Sequence, residues 1–185
     1  MPNAARASHH GPATPSAWVI RWASLVSAGG RVLDLACGGG RHAKFFAARG
    51  CEVETVDRDP AALATLAGLP GVTTRCADLE GGPWPYEGRL FDGIIVTNYL
   101  HRPLFPHLLT GLAPGGVLIY ETFAAGNERH GRPSNPAFLL QPGELLEAVR
   151  GRLRVVAYED LTVAEPKPAC VQRLCAIHSS AVHSN

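Results

Sequence analysis

The stretch Arg31-Val32-Leu33-Asp34-Leu35-Ala36-Cys37-Gly38-Gly39-Gly40-Arg41-His42 decides the fold. A short apolar run carries one acid, Asp34, breaks at three successive glycines and resumes with residues suited to a helix. Glycine at the bend admits a left-handed backbone and leaves no side chain between the main chain and a ligand. A strand that turns tightly into a helix on such a bend is a cradle for an adenosine-containing ligand. The rest of the chain is then expected to supply strands and helices that complete this pocket.

Before the bend, Thr14-Pro15-Ser16 offers a capping hydroxyl and a first-turn proline, and Trp18, Trp22, Leu25 and Val26 share one face of the helix that follows. That helix either packs on the sheet or acts as a flap over the ligand. After the first strand (32–36) and a helix over 41–48, strands are expected at 51–57, 72–76, 91–97, 117–123, 153–158 and 169–177. Helices are expected from Asp59-Pro60 to Gly68, over 102–112 and from Pro142 to Gly151. Ile94-Ile95-Val96 is apolar on both faces, as a buried parallel strand requires. Strand and helix alternate five times before a final strand pair. The expected fold is a three-layer, Rossmann-like α/β domain: a seven-stranded, mostly parallel sheet, helices on both faces, last strand antiparallel. Residues 124–141 form a long irregular segment, and such loops tend to be functional.

Composition narrows the class. The 185 residues fit one domain, with 46% apolar and 18% charged residues, an ordinary globular balance. A formal net charge of +1, with lysine only at Lys44 and Lys167, argues against a nucleic-acid partner. No apolar run reaches the roughly 18 residues of a membrane span, and residues 1–15 lack the apolar core of a signal peptide. The five cysteines are odd in number and contain no C-x-x-C pair, so no disulfide framework is expected. We therefore expect a cytoplasmic monomer or homodimer with a flexible arm over 1–13 and one domain over 14–185. His9-His10 has no second cluster at ligand spacing, and no metal is expected.

In open α/β sheets the ligand sits beyond the carboxyl ends of the strands, where strand order reverses. The candidates are therefore Ala36 to Gly40 after the first strand, Asp57 and Arg58 after the second, and Asp78 and Leu79 after the third. Thr97, Asn98 and Tyr99 follow the fourth strand, and Glu121 to Phe123 close the fifth. Asp57 lies 19 residues beyond Gly38, where a carboxylate accepts from ribose hydroxyls, and Asp78 is placed to accept from an exocyclic amine.

With these residues together, the chain resembles the class I S-adenosylmethionine-dependent methyltransferases over about 14–178. Val32-Leu33-Asp34-Leu35-Ala36-Cys37-Gly38-Gly39-Gly40 looks like that family's first motif, and Pro114-Gly115-Gly116 before the fifth strand is a family habit. Within the family it looks most like the small bacterial enzymes of tellurite-resistance type. The resemblance implies that Asp34 and Gly38, Gly39 and Gly40, with Ala36, Cys37 and His42 beside them, line the methionine part of S-adenosylmethionine. Asp57 and Arg58 would then meet the ribose, Asp78 and Leu79 the adenine, and Thr97 and Asn98 would close the cofactor site. S-adenosylhomocysteine would be the product.

Methyl transfer needs positioning more than acid/base chemistry, so no catalytic triad is sought. If the acceptor must lose a proton, Glu121 or His101 is the candidate base; each has the alternative of a structural hydrogen bond. The chain has Thr97-Asn98-Tyr99-Leu100 where enzymes acting on amide or base nitrogens carry Asn/Asp-Pro-Pro-aromatic. A small-molecule acceptor is the remaining expectation. Arg102, Arg129, His130 and Arg132 are candidates for a cationic face, and Tyr99, Tyr120, Phe123 and Phe138 for the walls. Two other readings stay open, a non-catalytic cofactor-binding or interaction module and a dinucleotide-dependent reductase.

Overall fold

In a computed structural model of the chain, residues 14–179 are described; the expected arm over 1–13, with His9-His10, lies outside them. Strand β1 (Arg31–Leu35) is buried from its second residue onward, and β4 (Phe91–Thr97) is buried along most of its length. Two strands with no polar face must both lie inside a sheet covered on both sides. They pair in parallel at its centre, Leu33 opposite Ile94 and Asp34 opposite Ile95. Strands β2 (Glu52–Asp57) and β3 (Val72–Cys76) extend the sheet one way, and β5 (Leu112–Phe123) extends it the other. The order is β3-β2-β1-β4-β5-β7-β6. Strand β7 (Ala169–Ile177) runs antiparallel between β5 and β6 (Arg154–Val163).

Helices cover both faces. On one, Trp18 and Val19 of α1 (Ala17–Trp22) and Ala43 and Phe46 of α2 (Arg41–Ala47) pack on Val32, Val53, Ile95 and Ile119. On the other, Leu108 of α4 (Phe105–Thr110) and Leu145 and Val149 of α5 (Glu144–Val149) pack on Leu33, Ile94, Leu118 and Leu174. The short helix α3 (Pro60–Ala64) is capped by Asp59, whose carboxylate accepts from Ala61 and Ala62, and Leu63 and Leu66 close over Cys37. No helix among the described residues is long and apolar enough to cross a membrane.

The expected three-layer α/β sheet is the observed one, and several boundaries move for identifiable reasons. Ser16, not Thr14, caps α1, its hydroxyl accepting from the Trp18 amide, and the helix tightens to a 3₁₀ turn at Ala23–Leu25 that leaves Leu25 exposed. Pro114-Gly115-Gly116 lies inside β5 as an irregularity: Phe91 faces Leu112, yet Gly93 faces Val117. Strand β6 runs five residues beyond the expected 158, because its pairing with β7 continues to Val163 opposite Ala169. The segment 124–141 holds two 3₁₀ turns, Asn127–Arg129 and Pro136–Phe138, tied by an Ala124–Leu140 bridge.

The glycines of the bend differ in why they are needed. Gly40 is left-handed (φ +67°), and a Cβ there would stand 2.4 Å from the buried Leu66 side chain. Gly39 has neither constraint; a Cβ there would meet nothing within 4 Å. Gly40→Ala should therefore destabilise the fold by about 2–4 kcal/mol, left-handed strain and overpacking combined. Gly39→Ala should change stability by about 0.5 kcal/mol or less. Urea unfolding of the two variants checks this ranking.

Candidate active site

Strand order reverses between β1 and β4, and there the two strand ends leave the sheet in opposite directions. Both exits use a non-glycine residue in the left-handed region, Ala36 (φ +52°) and Asn98 (φ +54°). For Ala36 this costs roughly 1–2 kcal/mol, a strain of the kind that collects at functional sites. A shallow cleft lies alongside, lined by Ala36, Asp57, Arg58, Ala77, Asp78, Leu79, Glu80 and Tyr99.

Asp57 and Asp78 are each aimed by backbone amides. Asp57 accepts from the Gly38 amide (2.8 Å) on one oxygen and from the Asp59 amide (3.0 Å) on the other. Asp78 accepts from the Glu80 amide at 3.0 Å. Each oxygen so engaged keeps a further lone pair, so the carboxylates are oriented without being used up. The amide of Cys37 continues the β2 ladder onto Val56, and that of Ala77 bonds Asp57, which holds the three strand ends in line. The Cys37 thiol is buried against Leu63 and Leu66, and that burial pushes its pKa up and leaves it unreactive.

A second polar group of residues lies beneath the bend. Asp34 is 1% exposed and accepts from the Ala43 amide at 3.0 Å, so it caps the first turn of α2 from below and does not face the cleft. Removal from water raises its pKa to about 7, well above the usual carboxylate range. His42, also 1% exposed, has Nε2 accepting from the Ser16 amide (3.1 Å). Its Nδ1 stands 3.5 Å from Thr97 Oγ1 and 3.9 Å from Asp34. An imidazole nitrogen that accepts a bond carries no proton, and burial with Arg41 nearby lowers the pKa of His42 to about 3.

The row continues through strands in register. Thr97 faces Glu121 of β5, Glu121 faces Arg173 of β7, and Arg173 faces Glu159 of β6. Arg173 donates to Glu121 at 2.5 Å and to Glu159 at 3.2 Å, while the Ser16 hydroxyl donates to the other Glu121 oxygen at 2.8 Å.

Several expected roles change accordingly. Asp34, His42 and Thr97 lie under the turn, so of the expected cofactor residues Ala36, Asp57, Arg58, Asp78 and Leu79 line the cleft, with Gly38 and Gly39 open beside it. Glu121 is bound by Arg173 and Ser16, the arrangement of a structural carboxylate and not of a free base. Arg102 bonds Glu144 and the carbonyls of Ala137 and Leu139, so it fastens the 124–141 segment instead of facing an anion. Arg129 reaches back to the Gly126 carbonyl. Tyr120 is core, its hydroxyl donating to the Tyr99 carbonyl, and Phe138 is 47% exposed, so the expected aromatic walls do not converge. Tyr99 instead joins the cleft, and Phe123 is half-buried at the end of β5. Ala77, Glu80 and Arg173 were not singled out, and Ser16 only as part of a helix start; an arginine inside the apolar run of β7, 52 residues after Glu121, is the signal that marks Arg173.

Asp34 and His42 pull stability in opposite directions. Folding keeps a proton on Asp34 between its ordinary 3.8 and about 7, so that contribution is full at low pH and lost as pH rises. Folding keeps His42 neutral between its ordinary 6.5 and about 3, so that contribution is full above 6.5 and lost as pH falls. The two nearly cancel between pH 4 and 6.5. Asp34→Asn should expose the His42 half, making stability fall toward acid more steeply than in wild type by about 1.4 kcal/mol per pH unit. Urea unfolding of both proteins across this range measures the difference.

Residues 32–116 match a family profile described as a methyltransferase domain. The TehB structure from Haemophilus influenzae superposes with a TM-score of 0.75 at 18% identity, covering 90% of this chain and 63% of that one. The chain thus spans less than two thirds of that protein. An S-adenosylmethionine-dependent methyltransferase from Mesorhizobium loti gives a TM-score of 0.67 at 17% identity, covering 88% and 99%. The N-methyltransferase NodS from Bradyrhizobium japonicum gives 0.65 at 17% identity, covering 87% and 94%. No curated protein matches the chain by sequence. Residues 32–116 thus resemble a methyltransferase domain, and the chain has the fold seen in S-adenosylmethionine-dependent methyltransferases.

Proposed function

We propose that the protein transfers the methyl group of S-adenosylmethionine to a small-molecule acceptor, and that the cleft at the strand switch is the cofactor site. The observation that carries this reading is the pair of backbone-aimed carboxylates, Asp57 and Asp78, on one cleft beside the unobstructed Gly39. The residues fit the cofactor. Asp57 holds the two ribose hydroxyls, Asp78 accepts from the exocyclic amine, and Ala36, Leu79 and Tyr99 supply apolar surface for the adenine. Bound S-adenosylmethionine supplies a methyl group on a sulfonium, and in-line displacement by the acceptor leaves a neutral thioether.

The chain's part is to orient the reactants and exclude water. Glu121 is committed to Arg173 and Ser16, which leaves His101, half-buried just after β4, as the group to take a proton when an acceptor must lose one. The 124–141 segment stands beyond β5, fastened by Arg102, and bounds the acceptor side together with α1. A net charge of +1 and two lysines support a small acceptor over a nucleic acid.

Calorimetric titration with S-adenosylhomocysteine should show micromolar binding. Asp57→Ala should weaken it by about 1.5–3 kcal/mol, or roughly 10- to 100-fold, with circular dichroism confirming the fold. Gly39→Ala, which leaves stability unchanged, should also weaken it by intruding a methyl on the open turn. Absence of binding to the wild-type protein would contradict the reading.

A further inference from the structure

Ser16 is bonded on three sides by groups that belong to different elements. Its amide donates to His42 of α2, its hydroxyl donates to Glu121 of β5, and the same hydroxyl accepts from the Trp18 amide of α1. Its carbonyl accepts from the Ile20 amide. The first turn of α1 is therefore seated on the helix that begins at the glycine bend and on the strand end next to the acceptor side. Ser16 is 9% exposed and Glu121 is 8% exposed, so a seat that opened without solvent entering would leave buried polar groups unmet.

His42 is the pivot of this joint. Asp34 of β1 and Thr97 of β4 face its Nδ1, Ser16 faces its Nε2, and Arg41 stands beside it on α2. Glu121 of β5 and Arg173 of β7 reach it through Ser16. Arg41 adds a second tie from the same turn, donating to the Thr14 carbonyl at 3.3 Å. The Gly38–Gly40 turn that the ligand would occupy is continuous with this helix start. A change in the turn is thereby passed to α1 through two adjacent side chains.

We infer that His42 is a positioning residue that clasps the start of α1 to the glycine turn, so that cofactor binding and the seating of α1 favour each other. This rests on the turn being the cofactor site. Linkage makes the coupling reciprocal: the factor by which the ligand steadies α1 is the factor by which the clasp tightens the ligand.

The test uses the full chain and S-adenosylhomocysteine as the probe, and it reads amide hydrogen exchange at Ser16 to Trp22. Trp18 and Trp22 emission, in a Trp84→Phe background that removes the tryptophan outside α1, is a second readout. In the His42-intact protein, ligand should slow exchange of this segment about tenfold. His42→Ala should remove the slowing and weaken binding by a similar factor. His42→Gln, whose amide oxygen accepts from the Ser16 amide, should restore both. Binding without slowing in the His42-intact protein, or unchanged affinity in His42→Ala, would overturn the clasp and leave the cofactor site standing. Absence of any binding would overturn both.

Discussion

A carboxylate buried beneath a glycine bend is the constraint on which the rest of the site depends. Asp34 sits buried in a central strand, and it is tolerated there because the Ala43 amide meets one oxygen. Isolated buried charge is costly, so the group holds its proton up to about pH 7. The same dry interior strips the proton from His42, whose free nitrogen then takes the Ser16 amide. Asp34 thus sets the start of α2, and His42 on that helix anchors α1.

The second organising feature is lateral. Thr97, Glu121, Arg173 and Glu159 occupy one register line across β4, β5, β7 and β6. Opposite charges facing each other across paired strands stabilise the pairing and favour one register. Here they also fix where β7 inserts, because Arg173 is bracketed by an acid on each neighbouring strand. Arg21 of α1 reaches the end of that row at Glu159 and lies 4.9 Å over the Trp22 ring. The row therefore holds α1 from one end while His42 holds it from the other.

Much of the fold was legible in the sequence. Strands 72–76, 91–97 and 169–177 were placed to the residue: Gly71 and Pro168 stand just before the first and the last, and Ile94-Ile95-Val96 is the apolar centre of the other. The acids after β2 and β3 were legible because a carboxylate that ends a parallel strand has the cleft as its destination. Asp34 and His42 were expected beside the ligand and lie buried beneath the turn, because a motif gives position along the chain and not which side of the turn a side chain takes. Glu121 stood as a candidate base or a structural hydrogen-bonding group, and Arg102 as a candidate for a cationic face; their partners, Arg173 and Glu144, lie 52 and 42 residues away, beyond the reach of local pattern. The left-handed backbone at Ala36 had no sequence signal, since alanine is not among the residues that favour that region.

The most direct test of the account is a crystal structure of the protein with S-adenosylhomocysteine. The account predicts the adenosine in the cleft between Ala36, Leu79 and Tyr99, the ribose hydroxyls on Asp57, and Asp34 still beneath the turn and out of contact with the ligand. A ligand bound away from the β1–β4 switch, or one whose ammonium group reaches Asp34 directly, would contradict it.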